Sequence, residues 1–67
     1  MCNRLHFKSQ NDAQNVRALL VLRGYSVQLL RSGCVYQGGL ILELGESAFV
    51  FATQIAEVFN MECRVEM

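Results

Sequence analysis

Single alternation of polar and apolar residues occupies three stretches of this chain, a short apolar run makes a fourth, and helical spacing occupies two. Arg4-Leu5-His6-Phe7-Lys8 alternates as a strand with one wet face does. Ser9 stands three residues before Asp12, a Ser-x-x-Asp capping box. A helix is predicted from Gln10 or Asn11 to Arg23, with Val16, Leu19, Leu20 and Arg23 at helical intervals and Gly24 placed to end it. Tyr25 to Leu29 alternates again, and Leu30 and Arg31 carry that strand into the loop Arg31–Gly39. Leu40 to Leu44 makes a third strand, punctuated by Gly45-Glu46-Ser47. Over residues 47–59 a second helix gathers Ala48, Phe51, Ala52, Ile55, Val58 and Phe59 on one apolar face, with Thr53, Gln54 and Glu57 opposite. A last strand runs from Met61 to Met67, with Cys63 and Val65 inward and Glu62, Arg64 and Glu66 outward.

The order β-α-β-β-α-β defines a single α+β domain over residues 1–67, the ferredoxin-like split βαβ sandwich. Right-handed crossovers then fix an antiparallel sheet of order 4-1-3-2. The charges agree with that order. Strand one, with outward Arg4, His6 and Lys8, would lie between Glu43 of strand three and Glu62 and Glu66 of strand four. The inward set is Leu5, Phe7, Val27, Leu29, Leu40, Leu42, Leu44, Cys63 and Val65. Val21, Leu22 and Val50 fall off the helical core stripes and are candidates for a self-association surface. Strands two and four, at the sheet edges, offer unpaired backbone as a second route to a dimer.

Composition narrows the function. The chain has 67 residues and is 52% apolar, too apolar for a disordered tail and rich for so small a body. That surplus points to burial against a second copy, as a homodimer, or against a larger protein partner. Six basic and six acidic residues cancel, which argues against nucleic-acid backbone binding. The opening Met1-Cys2-Asn3-Arg4-Leu5-His6 lacks the apolar stretch of a signal peptide. No apolar run approaches the ~20 residues that cross a bilayer. Three cysteines form no disulfide framework, so a reducing cytoplasm is the expected setting.

Little chemistry is visible. Cys34 follows Ser32-Gly33 in the glycine-rich loop, where Arg31 is near enough in sequence to activate a thiol by folding back. No histidine, aspartate or second cysteine lies beside it at a useful spacing, so no catalytic residue is assigned and no enzyme is expected. Cys63 reads as core, Cys2 as terminal, and His6 as a surface histidine on the wet face between carboxylates. These do not converge, so neither a metal nor another cofactor is expected. Gly33, Gly38 and Gly39 do not join a strand to a helix and form no phosphate-binding fingerprint; they read as a mobile turn. Tyr36 supplies an aromatic contact for a partner and Gln37 a polar one. The predicted outer sheet face of Arg4, His6, Lys8, Ser26, Gln28, Ile41 and Glu43 carries no aromatic for stacking on RNA bases.

Leu30-Arg31-Ser32-Gly33-Cys34, then Gly39-Leu40-Ile41-Leu42, a helix and a short strand, resembles the small selenium/sulfur carrier-like proteins. The resemblance implies a thiol carrier or an accessory of sulfur or selenium metabolism with Cys34 as the carrying residue. This chain departs from that pattern by placing Val35-Tyr36-Gln37-Gly38 between the cysteine and the Gly-Leu pair. The residues themselves favour a non-enzymatic interaction or regulatory module that self-associates, with the carrier as the alternative.

Overall fold

The computed structural model describes residues 3–66. Ser9 caps the first helix by accepting a hydrogen bond from the Asp12 backbone N–H at 3.2 Å, the N-cap half of the expected capping box. The elements are β1 (Asn3–Phe7), α1 (Gln10–Leu22), β2 (Val27–Leu30), β3 (Leu40–Leu44), α2 (Glu46–Val58) and β4 (Cys63–Glu66). Each described boundary lies within two residues of its sequence-based position, β2 and β4 each starting two residues later.

Both helices end in the same way. Gly24, at φ +86°, donates to the Val21 carbonyl, and Tyr25 donates to the Leu20 carbonyl at 3.0 Å. At the end of α2, Asn60 takes the left-handed position at φ +54°, donating to Glu57 while Met61 donates to Ala56 at 2.8 Å. This pair of reversed hydrogen bonds is the Schellman closure, usually built on glycine. It turns each helix sharply back towards the sheet.

The four strands lie in the order β2-β3-β1-β4, all neighbours antiparallel, in the ferredoxin-like arrangement. The register sets Leu5 opposite Leu42 and Val65, and Phe7 opposite Leu40 and Cys63, on the face beneath the helices. Leu5, Phe7, Val16, Leu20, Leu40, Leu42 and Leu44 are buried there, with small Ala13, Ala48, Ala52 and Ala56 letting the helices approach. The opposite face carries the expected charge ladder. Arg4 Nε meets Glu43 Oε2 at 3.0 Å and its Nη1 meets Glu66 Oε2 at 3.6 Å, while Lys8 lies 3.9 Å from Glu62.

Several expectations are corrected. His6 does project from the outer face but is only 1% exposed, because the loop after β2 covers it. Ile41, beside it on that face, is likewise buried. Val58 and Phe59 do not join the core; they are 76% and 66% exposed, and Ala56 is buried instead. The helix presents Ala52, Ile55 and Ala56 to the sheet, which leaves Val58 turned aside and Phe59 at the cap. Leu19 and Val65, expected inward, are 42% and 40% exposed, Val65 because it lies on the edge strand β4.

Candidate interaction surface

Residues 31–39 join β2 to β3 and fold back over the outer sheet face instead of standing away as a mobile turn. Four contacts hold them. The Val35 backbone N–H donates to His6 Nδ1 at 3.1 Å, and Gln10 Nε2 donates to the Gly38 carbonyl at 2.8 Å. The Cys34 thiol lies 3.8 Å from the Phe7 carbonyl and 3.7 Å from that of Leu40. Gly38 adopts φ +76°, allowing the Tyr36–Gly39 turn closed by a 3.1 Å hydrogen bond from Gly39 N–H to Tyr36 O. Gly39 itself packs so closely that a Cβ there would overlap the Phe7 carbonyl oxygen and sit 2.9 Å from Cys34 Sγ.

His6 is held from both sides. Its Nε2 lies 2.7 Å from Glu66 Oε1, so Nε2 donates to the carboxylate and Nδ1 accepts from Val35. That divides the ring into one donor and one acceptor, the neutral tautomer. Among the described residues no buried side-chain nitrogen or oxygen is left without a partner. Sequence spacing gave no sign of this arrangement, although Leu30 and Ile41, adjacent apolar residues on a face taken as wet, mark a place that needs a cover.

Cys34 is therefore a half-buried free thiol beside two carbonyl oxygens, and Arg31 does not fold back to it with any hydrogen bond or ion pair among the described residues. Cys63 is also free and half-buried, and loss of water around it pushes its thiol pKa up. Cys2 lies outside the described residues. No group of three or more His, Cys, Asp or Glu side chains among the described residues converges to hold a metal ion. No helix among them is long and apolar enough to cross a membrane.

The surface is more informative in its apolar residues. Leu22 is 83% exposed, and Val21 and Val50 stand about half out, on the outer sides of α1 and α2. Tyr36 is half-buried and Gln37 exposed on the loop. These positions are spread over α1, α2 and the loop; no hydrogen bond links them. Two open cavities lie where β2 begins. One, of about 410 Å³, is lined by Tyr25, Ser26, Gln28, Glu43, Glu46 and Ser47. The other, of about 360 Å³, runs from Tyr25 and Ser47 to Val50, Phe51 and Gln54, beneath Arg23. Arg23 stacks 4.9 Å above the Phe51 ring, a cation–π contact that joins the end of α1 to α2.

These features define a small ferredoxin-like α+β domain whose loop closes part of its open sheet face. No protein-family model, curated protein or solved structure matches the chain.

Proposed function

We propose that this domain is a non-enzymatic interaction module that associates with itself. The observation that supports this reading is the set of large apolar side chains left open to solvent: Leu22, Phe59 and Val58 are each more than half exposed, while Ala residues fill much of the helix–sheet interface. Exposing so many large apolar side chains on so small a body costs solvation free energy that association recovers. Sedimentation across a wide concentration range, paired with binding of an apolar dye, tests it. A monomer at every concentration that binds no dye overturns the reading.

A thiol carrier at Cys34 is the second reading. It is supported by a free thiol within reach of solvent at the end of the sheet. Thiol labelling of the folded protein, resolved by site, tests it. A carrier thiol labels well ahead of Cys63; equal, slow labelling of both ends the proposal.

A further inference from the structure

We infer that His6 is a proton-operated latch for residues 32–35: when the imidazole takes up a proton, this segment lifts from the outer sheet face and uncovers Ile41. The latch needs neither self-association nor a carrier thiol to operate.

A backbone N–H can only donate, so the 3.1 Å bond from Val35 requires a free lone pair on His6 Nδ1. Nε2 already carries the ring's one proton and offers it to Glu66 Oε1 at 2.7 Å. A second proton can go only to Nδ1, where it points at the Val35 N–H. Two donors then face each other in place of a hydrogen bond. His6 is 1% exposed, so while the segment stays down no water reaches either donor. Lifting the segment lets water accept from both and removes the cost of leaving them buried and unpaired.

The surrounding charges do not set the direction. On the outer face β1 carries Arg4 and Lys8 beside the ring, β3 carries Glu43, and β4 carries Glu62, Arg64 and Glu66, with Arg64 directly opposite His6. Arg4 pairs with Glu43 and Glu66, and Lys8 lies near Glu62. β2 brings the uncharged Gln28 to this face, and both helices pack on the other. All six charges stand on strands, so they surround the ring whether the segment is down or lifted. From the loop come Arg31, Cys34 and Tyr36; Arg31 is exposed, and the Cys34 thiol is turned to the Phe7 and Leu40 carbonyls. What changes on lifting is the Val35 N–H and the exclusion of water, and with the segment down both oppose a charged ring. The lifted state therefore binds the proton more readily, and acid populates it. Histidine changes charge between about pH 5 and 8, which sets the window.

Little else ties the segment down. Among the described residues its other hydrogen bonds to the sheet are the two from the Cys34 thiol, a weak donor, at 3.8 and 3.7 Å. The Val35 side chain is 57% exposed. Gly33, at φ +87° with open space around it, gives a pivot at one end. At the other end the Tyr36–Gly39 turn stays anchored by Gln10.

Amide exchange followed by NMR at about pH 8 and about pH 5, with each rate divided by that of an unstructured peptide at the same pH, tests the latch on the full chain. Val35 should lose protection by about tenfold on acidification while Leu5 and Leu42 keep theirs. The imidazole nitrogen shifts should follow the same midpoint. His6→Gln replaces the ring with a side chain that takes up no proton, and Val35 should then be equally protected at both pH values. Unchanged protection of Val35 in the wild type overturns the latch, and so does a loss that persists in His6→Gln. A loss shared equally by Leu5 and Leu42 overturns it too, because the whole domain is then opening. Should His6→Gln fail to fold, the wild type decides: a Val35 transition away from the imidazole midpoint overturns the latch, and a coincident one supports it.

Discussion

Val35 and His6, 29 residues apart, are joined by a 3.1 Å hydrogen bond from the Val35 backbone N–H to the imidazole Nδ1. Because His6 is 1% exposed, its two ring nitrogens are supplied wholly from within the protein, by Val35 and by Glu66. Replacing it with alanine leaves both a void and an unpartnered Val35 N–H. His6→Ala is expected to lower unfolding free energy by roughly 2–3 kcal/mol in urea titrations. Amide exchange at Val35 should accelerate well beyond that at Leu5 or Leu42. Unchanged exchange at Val35 would mean the loop is held by its other contacts alone.

Gly39 is required by space, not by backbone angle. Its missing Cβ is the gap that admits the Phe7 carbonyl oxygen and the Cys34 sulfur. Gly39→Ala should cost about 2–3 kcal/mol, an overpacking penalty at a site where one obstacle is backbone. Gly33→Ala makes a useful comparison: a Cβ there meets nothing within 4 Å, and its cost comes only from φ +87°. Thermal melts of the two variants should rank Gly39→Ala as the less stable.

Asn60 sits at φ +54° in the helix-closing position that Gly24 fills at the end of α1. Asn60→Gly should therefore stabilise the domain by roughly 0.5–1 kcal/mol, and Asn60→Val should destabilise it by more than that. Chemical denaturation of both variants reads the two signs directly.

Cys63 gives the domain an alkaline sensitivity. Burial raises its thiol pKa above the ordinary 9.0, so the folded chain holds that proton to higher pH than the unfolded chain does. Its contribution to stability is complete below about pH 9 and is lost as pH rises through the folded value. Wild type should therefore lose more stability than Cys63→Ala between neutral and alkaline pH, in parallel urea titrations. Parallel decline of the two would show that the thiol ionises equally well in both states.

The architecture was legible because strand alternation and helical spacing are local properties. Leu5 and Phe7 alternate with Arg4, His6 and Lys8, and that parity places them on the correct sheet faces. Parity assigns a face, however, and says nothing of what lies over it. His6 and Ile41 were placed on the right side, yet their burial depends on a loop crossing from β2, which no spacing in the chain encodes. Val58 and Phe59 fail for a related reason. Periodicity treats a helix as covered along its whole length, whereas α2 meets the sheet through Ala48, Ala52, Ile55 and Ala56. Of the candidate site residues, Val21, Leu22 and Val50 could be picked out as exposed because they break a helical stripe. The cavity where β2 begins required knowing that Tyr25, Glu43 and Glu46 come together, which only the folded sheet supplies.

The position of β1 in the interior of the sheet has a kinetic consequence. Both of its partners, β3 and β4, come from the later part of the chain, and only the β2–β3 pair joins strands that are neighbours in sequence. Closing distant strands forfeits chain entropy before their contacts form, so the β2–β3 hairpin is the natural place for ordering to begin. β1 is then recruited late, as a ready-made slot opens between β3 and the incoming C-terminal strand. Until that moment Leu5 and Phe7 stand unshielded, and the interval before β1 docks is when the chain is most open to wrong partners.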